Sequence, residues 1–266
     1  MKFTKYHIAG KAYIYCPDKT DFGILTADSI LRICDGFRGA GADGIFTFCQ
    51  TSSKTSLIKG FTQNGEYMRN FSSASICALF ELFLTAGITE HTFTSENGQF
   101  FTVKTEISEE NPVFSCTLED IHTNGIFGTS DRKTEIGNRI LTLTPVSLCE
   151  IFTVHFTSCR DKLDIAYLGQ HISKNSLFGK KANMILAEPD DKNSFNISFY
   201  ENNTGCPRPG LSAFAAVGLA ACRNGIGKYN EEISVSYNGN TVRIICNSAD
   251  SVTIKCTCER VFDGKL

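Results

Sequence analysis

Asn64-Gly65-Glu66-Tyr67-Met68-Arg69-Asn70-Phe71-Ser72-Ser73-Ala74-Ser75-Ile76-Cys77-Ala78-Leu79-Phe80 and Asn203-Thr204-Gly205-Cys206-Pro207-Arg208-Pro209-Gly210-Leu211-Ser212-Ala213-Phe214-Ala215-Ala216-Val217 read as one pattern written twice. Each follows an aromatic strand end, Phe61 in the first and Phe199-Tyr200 in the second, then a turn, then a segment that opens on small residues. Both segments are apolar on nearly every face, and a helix apolar all round is a buried one. Phe71 and Gly210 lie 139 residues apart, and the tight-turn pairs Asn97-Gly98 and Asn238-Gly239 lie 141 apart, so the offset persists downstream. Those pairs sit between runs of Phe, Thr, Val and Ile and mark hairpins. Two similar halves, each wrapping strands around a buried helix, are the simplest reading.

The 266 residues suffice for two domains, each with its own core. The expected division is 1–138, with a central helix at 71–86, and 139–266, with a central helix at 211–223. A net charge of -2 gives no electrostatic footprint for nucleic acid or an anionic membrane, so neither is an expected partner. No apolar run approaches the roughly 18–20 residues that span a bilayer. Met1-Lys2-Phe3-Thr4-Lys5 lacks the apolar core of a signal peptide, and the chain is read as soluble and cytoplasmic. The twelve cysteines are scattered at irregular spacings and are read as reduced core residues, not a disulfide framework. Cys256-x-Cys258 falls in an alternating strand pattern that turns both sulfurs to one face, and without a second pair no metal is expected.

Along the chain, Met1 to Tyr15 alternates like a strand, with Gly10 as a bulge or a close backbone approach. Thr26 to Cys34 is a helix capped by Thr26 or Asp28. Gly39-Ala40-Gly41-Ala42-Asp43-Gly44 precedes the strand Ile45–Phe48, the reverse of the strand-turn-helix order of a dinucleotide loop. Leu57–Thr62 is a strand, Phe71–Phe83 the first buried helix ending near Gly87, and Thr92–Thr105 a hairpin. Ser130 to Glu135 is read as a solvated surface turn, Ile151–Phe156 as a strand, and Leu168–Ser173 as an amphipathic turn. Ala182–Leu186 and Phe195–Tyr200 are strands, and Leu211–Cys222 is the second buried helix, closed by Asn224-Gly225. The sum is an α+β architecture of two pseudo-symmetric halves, each a mostly antiparallel β-barrel-like sheet around a central helix.

Gly39-x-Gly41-Ala42-Asp43-Gly44, Phe61-x-x-Asn64-Gly65, Ala182-Asn183, Glu201-x-x-x-Gly205, the two small-residue helix openings and Lys5-Tyr6-His7 followed by Gly10 together resemble the diaminopimelate epimerase family. The resemblance runs without gaps through both helix openings and loosely over the whole chain. It implies a cofactor-independent isomerase, needing neither pyridoxal phosphate nor metal, with its site between the halves. It also implies that both central helices aim their N-termini at a substrate carboxylate, where unpaired N–H groups and the positive dipole end hold an anion. In the family two cysteines, one at each helix start, serve as base and acid on opposite faces of the α-carbon.

This sequence departs from that pattern at the thiols. The ungapped register puts Phe71 and Gly210 at the two cysteine positions, and neither side chain carries a proton. Asn183 and Glu201 match the family's substrate-contacting asparagine and glutamate. Asn202 replaces the following arginine, Cys206 and Pro207 replace the glutamate and threonine after Gly205, and Lys11 replaces an early asparagine. The Asn-Pro-His segment has no counterpart near Cys149 to Phe152. Losing the arginine while keeping the glutamate removes a bidentate carboxylate clamp.

The remaining candidates each have two readings. Glu201, Lys11 and Cys206 are the groups that would replace the thiols as acid or base; otherwise Glu201 makes no ligand contact, Lys11 is a solvated surface lysine and Cys206 an incidental loop thiol. Ser72, Ser73, Leu211 and Ser212 open the helices, either as ordinary first-turn residues or as donors to a bound carboxylate together with Asn183, Asn202 and Lys11. Cys77 is read as core packing, and His91, His122, His155 and His171 as structural. A benzyl group at Phe71 is expected to fill the space of the substrate carbon. Two functions stand side by side: an isomerase working on an amino-acid-like or carboxylate ligand with a non-thiol acid or base, as the phenazine-biosynthesis branch of the superfamily does with carboxylates, or a silent paralogue binding a ligand or a partner protein. A homodimer is left open.

Overall fold

A computed structural model describes residues 1–107, 112–119, 131–148, 150–179, 181–191, 193–202, 205 and 207–265. The chain divides into two compact units, Met1–Leu118 with Lys255–Leu266, and Glu119–Ile254. The expected division was a single cut at 138/139. The compact units have two crossings instead, because the last strand returns to pair with the first.

In the first unit the strands are β1 (Lys2–Ile8), β2 (Lys11–Tyr15), β3 (Gly44–Gln50), β4 (Thr55–Thr62), β5 (Glu90–Ser95), β6 (Phe100–Glu106) and β7 (Val113–Leu118). These are neighbours in chain order; β7 is followed by the last strand of the chain, β15 (Ser251–Lys265), and β15 pairs back onto β1, which closes an eight-stranded barrel. Closure removes both open edges of the sheet. Residues 7–11, expected to hold a bulge, instead make a hairpin between β1 and β2. Its turn is Ala9-Gly10, with φ of 48° and 89°. The pairings β2–β3 and β4–β5 are parallel. A parallel neighbour needs a crossover, supplied by α1 (Lys19–Gly23) with α2 (Ala27–Cys34) and by the long α3 (Ser72–Ala86). α1 lacks apolar periodicity and was not foreseen; Asp18 makes it, accepting from the amides of Thr20 and Asp21. α2 begins as expected at Thr26, which forms a reciprocal capping box with Ser29.

The glycine-rich run after α2 has a packing cause. The amides of Gly39 and Ala40 return to the carbonyls of Asp35 and Ile33, and a Cβ on Gly39 would lie 2.2 Å from the carbonyl oxygen of Arg32. Asp43 then binds Ala12 through both backbone and side chain, which docks the run beside β2.

α3 is buried from Ser72 to Leu79 and ends at Gly87 in the left-handed region, where only glycine is free of strain. Its one charged residue, Glu81, accepts a short hydrogen bond from the Tyr6 hydroxyl of β1. Burial and that carboxylate hold Tyr6 protonated, far above the ordinary phenol range.

The second unit repeats the plan. It contains β8 (Arg132–Ile136), β9 (Arg139–Ser147), β10 (Ile151–Phe156), β11 (Asn183–Asp191), β12 (Ser194–Tyr200), β13 (Glu232–Tyr237) and β14 (Asn240–Ser248), neighbours in chain order among the described residues. β9–β10 is an antiparallel pair like β1–β2; β10–β11 and β12–β13 are parallel like β2–β3 and β4–β5; β11–β12 and β13–β14 are antiparallel. α4 (Ile165–Lys174) occupies the first crossover and α5 (Leu211–Arg223) the second. α5 is buried at every position from Leu211 to Cys222.

Two expectations in this unit are corrected. Ser130 lies outside the described residues, but Arg132–Ile136 is strand β8 rather than a solvated turn; Thr134 and Ile136 face inward, and the alternation was masked by the charged residues between them. Leu168–Ser173 belongs to a full helix, because Asp164 caps α4 by accepting from the amides of Ala166 and Tyr167. Its Leu168, Ile172 and the following Phe178 pack with Met184, Leu186 and Tyr200.

Gly169 lets α4 reach β12: a Cβ there would lie 2.2 Å from Cγ of Tyr200 and 2.6 Å from its Cβ. Gly169→Ala gains helix propensity but cannot be accommodated by rotating a flexible tip, so it should destabilise the protein by about 1–3 kcal/mol. A lowered urea midpoint with an unchanged slope is the expected measurement.

Candidate functional site

The central helices open in matching ways. Phe71 is the cap residue of α3 and Gly210 that of α5, and neither supplies a side-chain acceptor to the first turn. Neither first turn carries an acidic residue, so no carboxylate of the helix itself neutralises the positive dipole end. At α3 the Ser72 amide donates to Oδ1 of Asn70 at 2.9 Å, and Ser75 N donates to the Phe71 carbonyl at 2.7 Å. At α5 the Ala213 amide donates to the Gly210 carbonyl at 2.9 Å. Ser72, Ser73, Leu211 and Ser212 are all buried.

Phe71 does not stand free. Its ring is fully buried, edge-on to Tyr67 at 5.8 Å and to Phe101 at 6.4 Å. Tyr67 in turn meets Phe61, which stacks on Phe22. The benzyl group expected to fill substrate space is therefore a packing residue of the first unit's aromatic core.

In the second unit Asn183, Glu201 and Asn202 are brought together. Asn183 opens β11, is buried, and its Oδ1 accepts from the Asn202 amide at 2.9 Å; its carbonyl accepts from Oγ1 of Thr153 at 3.1 Å. Glu201 and Gly205 form an antiparallel bridge, N–H to O at 2.7 and 3.0 Å in the two directions, and Gly205 has φ of 93°. The half-buried Glu201 thus sits on a clipped turn between β12 and the approach to α5. Cys206 lies outside the described residues. Lys11 starts β2 opposite Ile8, half-buried beside the Ala9-Gly10 turn of the first unit.

Of the histidines, His91 is buried against Phe93 and bonded through Nε2 to Oγ of Ser56 at 2.9 Å; burial lowers its pKa. His155 is half-buried and His171 exposed, and His122 is outside the described residues. Among the described residues no group of three or more His, Cys, Asp or Glu is placed to hold a metal, and no helix is long and apolar enough to cross a membrane. Sequence reasoning missed the Tyr6–Glu81 pair; its one signal was a lone charge in an otherwise apolar helix.

Two units, each with a buried helix crossing over inside strands and opening on small residues, define the diaminopimelate epimerase-like fold. The comparisons agree. A curated diaminopimelate epimerase of Bacillus licheniformis is 22% identical over 280 residues, covering 100% of this chain and 98% of the relative. Another, of Bacillus cereus, is 24% identical over 293 residues with 100% and 98% coverage. Among solved structures, a phenazine biosynthesis protein of the PhzF family from Bacillus anthracis superposes with a TM-score of 0.67 at 10% identity, covering 100% of this chain and 98% of that one. A hydroxyproline epimerase from Agrobacterium vitis, solved with trans-4-hydroxy-L-proline, gives 0.69 at 12%, with 100% and 90% coverage. No family model matches the chain. Over its whole length the chain is thus similar in sequence to amino-acid epimerases, as a divergent relative lacking cysteine at Phe71 and Gly210.

Two measurements check this geometry. Asn183→Leu removes the acceptor of the Asn202 amide and should cost about 1–3 kcal/mol, with faster hydrogen exchange at Asn202; Asn183→Asp, which keeps the oxygen, should retain most of the protection. For His91 the folded pKa lies below the unfolded value of about 6.5, so the unfolded chain takes up the proton first and stability falls as pH drops below about 6.5. His91→Gln should flatten that part of the stability–pH profile.

Proposed function

We propose that this chain is a cofactor-independent, isomerase-type protein that binds an amino-acid-like or carboxylate ligand by its carboxylate at a central-helix opening, and that Glu201 takes the place of the missing thiols in moving the α-proton. The reading is carried by one observation: both helix openings keep buried small residues and no acidic side chain, while both cap positions have lost any titratable group. First-turn amides and the positive dipole end suit a carboxylate and the negative charge that develops as the α-proton leaves. Glu201 is supported as the proton carrier because its turn is fixed by the Gly205 bridge and the Asn183–Asn202 bond, so the carboxylate is held on a rigid base. Asn202 in place of an arginine favours a ligand with one carboxylate over diaminopimelate, since the fork that would grip a second one is gone. A soluble, cytoplasmic setting is part of the same proposal.

A second reading has its own support. Phe71 is committed to packing and Gly210 has no side chain, which fits a protein that binds the ligand without turning it over.

Incubation in heavy water with a panel of α-amino acids, including diaminopimelate isomers, separates the two. The expected result is loss of the α-proton NMR signal from a monocarboxylate member, slowed by about 10²–10⁴-fold in Glu201→Gln with ligand binding retained by calorimetry. Binding without exchange would leave the silent paralogue; neither binding nor exchange would remove both readings for those compounds.

A further inference from the structure

Cys77 and Cys258 meet inside the first unit. Cys77 is on α3 and Cys258 on β15, opposite Ile8 of β1, and their sulfurs are 3.7 Å apart although 181 residues separate them in the chain. Both side chains are buried, and both are free thiols. Cys77 lies one helical turn before Glu81, on the face that meets Tyr6, so the two sulfurs continue a strip of polarisable and polar atoms between helix and strands.

We propose that Cys77 and Cys258 are a modification site, a thiol pair that hydroperoxides convert to a disulfide stapling the central helix to the strand that closes the barrel. A disulfide needs its sulfurs at about 2.05 Å, so the two must draw together from 3.7 Å. Cys258 is the donor to Cys77 Sγ, and burial raises its thiol well above the ordinary range, so Cys258 keeps its proton and Cys77 reacts first. The Cys77 sulfur attacks the terminal oxygen of the hydroperoxide; the O–O bond breaks and the alcohol leaves with the thiol's proton. The sulfenic acid so formed is attacked by Cys258, whose proton leaves with the displaced oxygen as water as the S–S bond forms. Two thiols lose two electrons and two protons, and the hydroperoxide becomes an alcohol and water.

Burial sets the rate. Reaction needs the end of β15 to lift, and residues 259–262 just beyond Cys258 are exposed. The pair therefore responds to sustained oxidation more slowly than the exposed Cys159 does. The constraint is large because the loop it closes spans most of the chain.

The test treats the intact protein with tert-butyl hydroperoxide, blocks remaining thiols and maps cross-linked peptides. The expected result is a peptide pair joining Cys77 to Cys258, abolished by dithiothreitol, with a thermal midpoint about 5–10 °C above that of the reduced protein. Cys258→Ala should keep the reduced midpoint near that of wild type and lose the oxidative shift. The second pair, Cys222 with Cys246 in the other unit, serves as a control. The proposal fails if the oxidant links only that pair, or if a Cys77–Cys258 link forms without moving the midpoint. Because both readouts are independent of catalysis, they stand or fall separately from the functional proposal.

Discussion

A helix threaded through a strand barrel has no solvent face, and most of this protein follows from that. α5 meets the condition with an unbroken run of buried residues from Leu211 to Cys222, and α3 over Ser72 to Leu79, beyond which Phe80 to Phe83 are half-buried and Leu84 to Ala86 exposed. Glu81 is kept at the solvated latter half of α3 and given the Tyr6 hydroxyl as donor, so the one charge the helix carries is not left unpaired in the core. The same condition dictates small residues at the helix openings, where surrounding backbone comes close, and leaves the first-turn amides without local carboxylates. The unneutralised positive dipole ends at these openings are thus a by-product of how the helices are packed.

The parallel pairings are the second consequence. β2–β3, β4–β5, β10–β11 and β12–β13 each need a crossover, and in both units the second of these crossovers is the central helix. That is why the two halves share a topology despite little residue-by-residue likeness outside the helix openings and hairpins. The two hairpins nonetheless differ locally. Asn238 and Gly239 both have positive φ, whereas in the earlier turn only Gly98 does and Ser95 bonds the Asn97 side chain instead.

What was legible in the sequence was whatever rests on local periodicity or turn chemistry. α3, α5, α2 with its Thr26 cap and the strand Ile151–Phe156 are all of that kind. β8 was not, because Lys133 and Glu135 sit on its outer face and hide the inward alternation. α1 depends on a single Asp18 cap, too short a signal to stand out. For the site, sequence named Asn183, Glu201 and Asn202; the structure ties Asn183 to Asn202 through one side-chain oxygen, and holds Glu201 beside them by its backbone bridge to Gly205. The fate of Phe71 was not legible, since its edge-on partner Phe101 is thirty residues away and reaches it only through the packing of β6 on α3.

β15 also sets an order of events during synthesis. The second unit is a contiguous segment, complete once residue 254 has been made, while the first unit lacks its closing strand until the residues from 255 onward emerge. Through all of that time β1 and β7 present open edges, with a long apolar helix between them that no finished barrel encloses. The half that is translated first is therefore the half that must wait for its last strand.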